Sequence, residues 1–99
     1  MATYSASFAK TITLVANTVD TITLTGTGNT LHVFQTSTST PIYFTAGQPG
    51  TTPATPTVAG DDNYAVMNGY NSIDFPWTGT GAVIKVISAG TPTVQFLLQ

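Results

Sequence analysis

The segment Val19-Asp20-Thr21-Ile22-Thr23-Leu24-Thr25 sets Ile22 and Leu24 two positions apart, with threonines between and around them. A period of two places the apolar side chains on one face of a β-strand and the threonines on the other. Threonine is β-branched and suits a strand that keeps one face in water. The segment therefore predicts a strand with a buried apolar face and an outer face of hydroxyl groups.

Similar short segments follow one another along the rest of the chain. The candidate strands are Thr3–Phe8, Lys10–Val15, Val19–Thr25, Thr30–Thr36, Pro41–Thr45, Asn63–Asn68, Asn71–Pro76, Ala82–Ser88 and Pro92–Leu98. Strands spaced about every eight to twelve residues and separated by turn-forming residues are typical of a sandwich or barrel. No helical period competes with them. We therefore predict an all-β fold, an antiparallel β-sandwich or jelly roll of about eight short strands, in a single domain spanning residues 1–99.

The same alternation predicts which residues form the core and which face outward. The predicted core residues are Ile12, Leu14, Ile22, Leu24, Leu31, Val33, Ile42, Phe44, Ile73, Phe75, Val94, Phe96 and Leu98. In the early strands the residues between them are mostly threonine, including Thr11, Thr13, Thr21 and Thr23. Asn68-Gly69 lies between two alternating segments, and Asn-Gly is a strong signal for a hairpin turn.

The run Val83-Ile84-Lys85-Val86-Ile87 is apolar on both faces of a strand, with Lys85 as its one polar residue. Such a run indicates either a central strand or a strand covered by another chain. We favour the covered strand, which makes Val83, Ile84, Val86 and Ile87 interface candidates. The alternative is a central strand whose outer face packs under a loop.

The segment 46–60, AGQPGTTPATPTVAG, has three prolines and no apolar face. It is too long for an ordinary connection in a compact domain, and long loops of this kind are often functional. Pro49, Pro53 and Pro56 favour extended backbone, so an arm lying across a neighbouring subunit is one interpretation, and the three prolines are interface candidates. A floppy surface loop is the other.

The composition excludes several classes of function. The 99 residues include two Lys, four Asp and one His, and no Arg, Glu or Cys. Catalysis depends mostly on those residue types, so we predict no enzyme. A net charge of -2 opposes nucleic-acid binding, which needs clustered cations. No segment has the roughly 20 apolar residues that span a bilayer, so we predict a soluble protein made in the cytoplasm, with no cofactor and no disulfide.

Two polar parts of the sequence, the segment Gly60–Asn63 and His32, each have a functional and a structural interpretation. Gly60-Asp61-Asp62-Asn63 groups hard oxygen ligands that suit calcium, but Asx residues before a strand usually bond to their own turn, so we predict no metal. His32, the one histidine, would be the base for any Ser or Thr nucleophile. It points away from Leu31 and Val33, which favours an ordinary surface or interface histidine.

The aromatic residues offer a further kind of site. Tyr70 at the predicted hairpin tip and Trp77 in Phe75-Pro76-Trp77-Thr78-Gly79 are interface candidates, because exposed rings stack on sugars or anchor protein contacts. The alternative for Trp77 is a ring that caps one end of the core. Tyr4, Tyr43 and Tyr64 alternate with core residues and fit either role.

Four segments together resemble the small all-β virion proteins of tailed bacteriophages, and the capsid decoration, or cement, proteins most of all. They are Val19–Leu24, Thr40–Thr45, Thr57–Val66 and Val83–Gly90. The resemblance runs from about Val19 to Phe96. It implies a non-enzymatic protein that binds the outside of an assembled phage head and reinforces it, with the major capsid protein or other virion proteins as partners. It also implies a homo-oligomer, most often a trimer, located in the virion.

Two rival roles remain open beside that one. One is a minor tail or neck protein of the same virion. The other is a carbohydrate-binding module or fibre head, in which Trp77, Tyr70, Asp61 and Asp62 grip a glycan. The glycan role requires Trp77 to be exposed in a groove. In the virion role we expect one terminal strand, Thr3–Phe8 or Pro92–Leu98, to pair with the sheet edge of a neighbour.

Overall fold

The computed structural model describes residues 2–35, 40–61, 63–66 and 71–99, and these form nine β-strands and no helix. The strands are β1 (Thr3–Ala6), β2 (Ala9–Thr13), β3 (Asp20–Thr27), β4 (Thr30–Gln35), β5 (Ile42–Gly47), β6 (Tyr64–Val66), β7 (Asn71–Pro76), β8 (Thr80–Ser88) and β9 (Thr93–Leu98). They form two sheets that enclose one apolar core. The predicted all-β sandwich is therefore confirmed. The predicted Asn68-Gly69 turn and Tyr70 lie outside the described residues.

The two sheets differ in size and in the way the strands run. The five-stranded sheet has the order β1-β3-β8-β5-β6 and the four-stranded sheet the order β2-β9-β4-β7. Neighbouring strands are antiparallel except β1 and β3, which pair in parallel from Thr3 opposite Thr21 to Ala6 opposite Leu24. The fold is thus antiparallel with one parallel edge strand.

The parallel pair follows from the path of the chain between β1 and β2. At Ser7 and Phe8 the chain leaves the five-stranded sheet and enters the four-stranded sheet, so β1 and β2 cannot form a hairpin. The carbonyl of Ser7 still accepts from the N–H of Gly26 in the first sheet (2.6 Å), and the carbonyl of Phe8 accepts from the N–H of Leu98 in the second (2.7 Å). These two bonds fix the crossing.

The core lies between the sheets and contains the residues that alternation predicts. Of the predicted core, Ile73 is half-buried, the side chain of Phe75 is not among those described, and the rest are buried. The core also contains five residues that alternation did not assign to it: Val66, Trp77, Ala82, Ile84 and Val86. The predicted threonines Thr21 and Thr23 are half-exposed and Thr11 and Thr13 exposed, on the outer faces of the sheets.

The apolar run at residues 83–87 belongs to β8, the middle strand of the five-stranded sheet. Ile84 and Val86 point into the core and are fully buried within the single chain. Val83 and Lys85 are half-buried on the outer face, and Ile87 on that face is 8% exposed. The apolar pattern is therefore that of a central strand, and Ile84 and Val86 are packing residues that no other chain can reach.

The proline-rich segment folds back on its own chain. β5 continues through Gly47, so the connection to β6 begins at Gln48 rather than at Ala46. The hydroxyl of Thr45 donates to the carbonyl of Ala54 at 2.5 Å, and the amide of Gln48 donates to the carbonyl of Thr78 at 2.7 Å. Pro56 is buried. In this chain the segment covers part of the outer face of β5.

The terminal strands differ in what they leave available for pairing. β9 lies between β2 and β4 and is bonded on both sides, so Pro92–Leu98 has no edge to offer a neighbour. β1 lies at the edge of its sheet and is bonded on one side, to β3. Of the two terminal strands, β1 alone retains the edge that the prediction requires.

Within the described ranges there is no helix of a length and apolar character that would cross a bilayer.

Candidate interaction faces

The outer face of the five-stranded sheet is lined mainly by hydroxyl groups, and we call it the hydroxyl face. Its residues on β1, β3, β8 and β5 are Thr3, Ser5, Thr21, Thr23, Val83, Lys85, Ile87, Tyr43 and Thr45. They follow from alternation, because each is the neighbour of a core residue in its strand. Lys85 is the one charged residue among them and lies on the middle strand.

The outer face of the four-stranded sheet carries larger side chains, and we call it the aromatic face. Its residues on β2, β9, β4 and β7 are Ala9, Thr11, Thr13, Thr93, Gln95, Leu97, His32, Phe34, Ser72 and Asp74. The large ones, His32, Phe34 and Leu97, lie on the two inner strands. The residues of the edge strands are small or polar. An apolar centre with a polar rim is the anatomy of a protein–protein interface.

His32 and Asp74 form a hydrogen-bonded contact on the aromatic face. They are directly opposite each other in the β4–β7 register, and Nδ1 of His32 lies 2.6 Å from Oδ1 of Asp74. An ionised carboxylate only accepts hydrogen bonds, so Nδ1 carries the proton and donates it. The side chain of His32 is 20% exposed and that of Asp74 is 54% exposed. The contact therefore lies at the surface and orients the imidazole.

Phe34 and Gln95 continue the aromatic face beside this pair. The ring of Phe34 is stacked on that of His32, with centroids 5.9 Å apart and planes 13° from parallel. Gln95, opposite Phe34, donates from Nε2 to the hydroxyl of Thr11 at 3.2 Å. Stacking and hydrogen bonding thus hold these side chains in place.

The two residues directly opposite the oriented histidine are not nucleophiles. A carboxylate-oriented imidazole acts as a base in a triad when a hydroxyl or thiol lies within about 3 Å of it. The cross-strand neighbours of His32 are Leu97 on one side and Asp74 on the other, and neither carries such a group. The geometry fits a surface contact, in agreement with the simpler interpretation of this histidine.

Trp77 lies in the core and not in a groove. Its side chain is 9% exposed, and Nε1 donates to the carbonyl of Gly81 at 2.9 Å. The buried ring caps one end of the core, because its indole N–H finds a backbone partner while the rest of the ring packs on apolar residues. The glycan role expected an exposed Trp77, and on this point that expectation is wrong.

The remaining candidates are scattered and do not form one site. Pro49 is exposed, Pro53 is half-buried and Pro56 is buried, so only Pro49 of the three presents most of its surface. Pro49 and Pro53 lie close to the backbone of Gly81 and Gly47, over the end of the hydroxyl face. This segment therefore covers part of the hydroxyl face at β5, where Thr45 is buried.

The acidic segment forms a turn in the part that is described. The N–H of Gly60 and the side-chain amide of Asn63 both donate to the carbonyl of Thr57, at 3.0 and 2.9 Å. Asp61 is exposed, and Asp62 lies outside the described residues. Across the residues that the structure covers, no three carboxylates or histidines come together as a metal site requires.

The His32–Asp74 contact is the feature that the sequence prediction missed. Alternation shows that His32 and Phe34 share the outer face of one strand and that Asp74 faces outward between Ile73 and Phe75. The pairing of β4 with β7 and its register bring them together, and neither is readable from alternation within one strand.

Comparison with solved structures supports the fold. The pre-peptidase C-terminal domain of collagenase from Bacillus anthracis is similar with a TM-score of 0.58 and 11% identity, covering 100% of this chain and 95% of that one. PliG of Aeromonas hydrophila, a periplasmic inhibitor of g-type lysozyme, is similar with a TM-score of 0.60 and 12% identity, covering 98% and 96%. No protein-family model and no curated protein matches the sequence. At these identities the likeness concerns the sandwich alone.

Proposed function

We propose that this chain is a non-enzymatic structural protein of a tailed phage, a decoration protein that binds the outer surface of the head and stabilises it. Its partner is the major capsid protein, and it acts as a homo-oligomer, with a trimer as the favoured state. The resemblance of its strand segments to virion proteins supports the virion setting. The structure supports the mode of action, which is contact through the faces of a sheet.

The observation that carries the proposal is the hydroxyl face. It presents threonine and serine side chains on adjacent strands, with a single ammonium group at Lys85. Hydroxyls make hydrogen bonds whose strength varies little with salt, whereas exposed ion pairs are screened. A surface of this kind suits many identical contacts on a shell. Each contact is weak, but repetition by symmetry raises the total affinity.

The glycan role is the competing proposal, and the structure weakens it at one place. Its main platform, Trp77, is buried, and Tyr70 and Asp62 lie outside the described residues. Asp61 is exposed on the turn before β6. A glycan site would therefore need residues other than the predicted ones.

A reconstitution experiment tests the proposal. Heads are purified from phage that carries a deletion of the gene for this chain, the chain is added back, and the heads are sedimented. We expect saturable co-sedimentation and a higher temperature of shell disruption, because a ligand that binds the intact shell stabilises it by mass action. Tails purified from the same deletion phage serve as the control for a tail or neck role.

Three results would contradict the proposal. The chain could stay in the supernatant at every concentration, it could bind tails in place of heads, or it could be retained on a glycan column without binding heads. A matched variant, Thr21→Lys on the hydroxyl face, should weaken co-sedimentation, because it puts a second cation directly opposite Lys85. Thr57→Lys, on the exposed turn, should not.

A further inference from the structure

The two outer faces carry single charges of opposite sign. On the hydroxyl face the charged residue is Lys85, and on the aromatic face it is Asp74. The other charged residues of the described chain lie elsewhere. Lys10 is over the ring of Tyr4, 5.5 Å from its centroid, Asp20 is buried, and Asp61 is on the turn before β6. The outer faces of a sandwich point in opposite directions, so the molecule is electrically polar across its thickness.

Each face also offers apolar surface near its charge. The half-buried Val83 lies two residues from Lys85 on β8, and Phe34 and Leu97 lie beside the His32–Asp74 contact. The hydroxyls and small residues of the outlying strands surround both groups. The faces therefore complement each other in charge and share the layout of an apolar centre inside a polar rim.

Packing two copies through the same hydroxyl face is disfavoured. Lys85 lies on the middle strand of its sheet, so a two-fold axis through that face brings two ammonium groups together, and like charges in an interface are costly. Packing the hydroxyl face of one copy on the aromatic face of the next puts the ammonium against a carboxylate. The flexible lysine stem spans the roughly 4.8 Å between neighbouring strands, so a Lys85 placed above β4, the inner strand next to β7, reaches Asp74.

We infer that copies of this chain associate head to tail, with the hydroxyl face of one copy on the aromatic face of the next and Lys85 of the first opposite Asp74 of the second. Because the two faces point in opposite directions, a heterologous contact of this kind repeats as an open stack and does not close into a ring. This inference concerns self-association of the free chain and does not rest on the trimer of the proposed function. It is tested without any phage shell, so the two can fail separately.

The size of the faces sets the expected strength. Four strands by five residues cover about 300 Å² in projection, at a spacing of about 4.8 Å and a rise of about 3.4 Å. A stable pairwise interface buries about 800 Å² on each partner. One contact is therefore weak, so association should rise gradually with concentration as copies add to a stack.

Charge exchange tests the inference. The mass in solution is measured by sedimentation over a wide concentration range for the parent, Lys85→Glu, Asp74→Lys and the double variant. We expect the parent to associate, each single variant to associate at least about tenfold more weakly, since like charges then face each other, and the double variant to recover. An equal mixture of the two single variants should also associate, because each then supplies the charge that the other lacks.

Matched controls separate this effect from net charge and from folding. Lys10→Glu changes the net charge as Lys85→Glu does, and Asp61→Lys changes it as Asp74→Lys does, yet neither lies on an outer face. Both should associate like the parent. Thermal melting shows whether each variant is folded, and the mixture needs only that the single variants fold.

Four outcomes would overturn the inference. The first is a parent protein that remains a monomer up to its solubility limit. The second is a Lys85→Glu variant that associates as the parent does, which would indicate packing through aromatic faces alone. The third is a loss of association in the controls as large as in the face variants, and the fourth is a failure of both the double variant and the mixture to recover.

Discussion

The backbone N–H of Ala2 donates to Oδ1 of Asp20 at 2.9 Å, and the Asp20 side chain is 2% exposed. Beside this bond the N–H of Thr21 donates to the carbonyl of Ala2, also at 2.9 Å. The carboxylate thus holds the beginning of β1 against β3. A parallel edge strand of four residues has few other bonds, so its position depends on this contact.

We expect Asp20→Ala to lower the free energy of unfolding by about 1.5–3 kcal/mol, the range for a hydrogen bond to a charged group. Asp20→Asn keeps an acceptor oxygen in the same place and should cost about 1 kcal/mol less than the alanine variant. Urea denaturation of the three proteins gives both differences. If the two variants were equally stable, the carboxylate would not be holding β1 through this bond.

Replacing Ile84 with Asp should cost at least about 2 kcal/mol, because it buries an unpaired carboxylate in the core. The adjacent change Val83→Asp places the same group on the half-buried outer face of the same strand and should cost about 1 kcal/mol, mainly through strand propensity. Thermal or urea unfolding measures both. Equal losses at the two positions would contradict the assignment of opposite faces.

Gly81 and Gly50 differ in their surroundings but share a positive φ, of 84° and 87°. A β-carbon at Gly81 would lie 2.8 Å from the carbonyl oxygen of Leu24, whereas nothing lies within 4 Å of one at Gly50. We expect Gly50→Ala to cost about 1–2 kcal/mol for the left-handed backbone alone. Gly81→Ala should cost at least about 1 kcal/mol more, since backbone must move as well. Equal unfolding midpoints for the two variants would refute this reading of the crowding.

Ala59 has a φ of 55°, in the left-handed region that β-carbons disfavour. We expect Ala59→Gly to raise the free energy of unfolding by about 0.5–1 kcal/mol, the relief of strain less the entropy that glycine adds to the unfolded chain. Asn17, with a φ of 56°, is of a residue type that tolerates this conformation, so Asn17→Gly should change stability little. A destabilised Ala59→Gly variant would be the contrary result.

Strand alternation predicted most of the fold. It placed all nine strands and assigned residues such as Leu31, Val33 and Phe96 to the core, because each strand has one face in water and one in the core. Strand ends shifted by one or two residues, as at Ala46 and Gly47, which continue β5. Alternation did not predict the parallel β1–β3 pair, since that depends on a chain crossing between sheets.

The candidate site was predicted less well, for a physical reason. A run that is apolar on both faces indicates that the strand is buried, but it does not indicate whether the same chain or another chain covers it. Ile84 and Val86 are buried in the core of their own chain. Trp77 is followed by a turn, which suggested exposure, yet the carbonyl of Gly81 satisfies its indole and lets the ring enter the core. The contact of His32 with Asp74 joins residues 42 positions apart and depends on strand register.

The pairing of β2 with β9 has a consequence for the speed of folding. The hydroxyls of Thr13 and Thr93 lie 3.1 Å apart across that pair although 80 positions separate them in the chain. Such distant pairing requires a large loop to close before any stabilising contact forms, and proteins with many contacts of this kind fold in milliseconds to seconds. Until β9 docks, β2 and β4 expose unpaired edges with few charges to keep them apart, so rapid overproduction should favour aggregates over native protein.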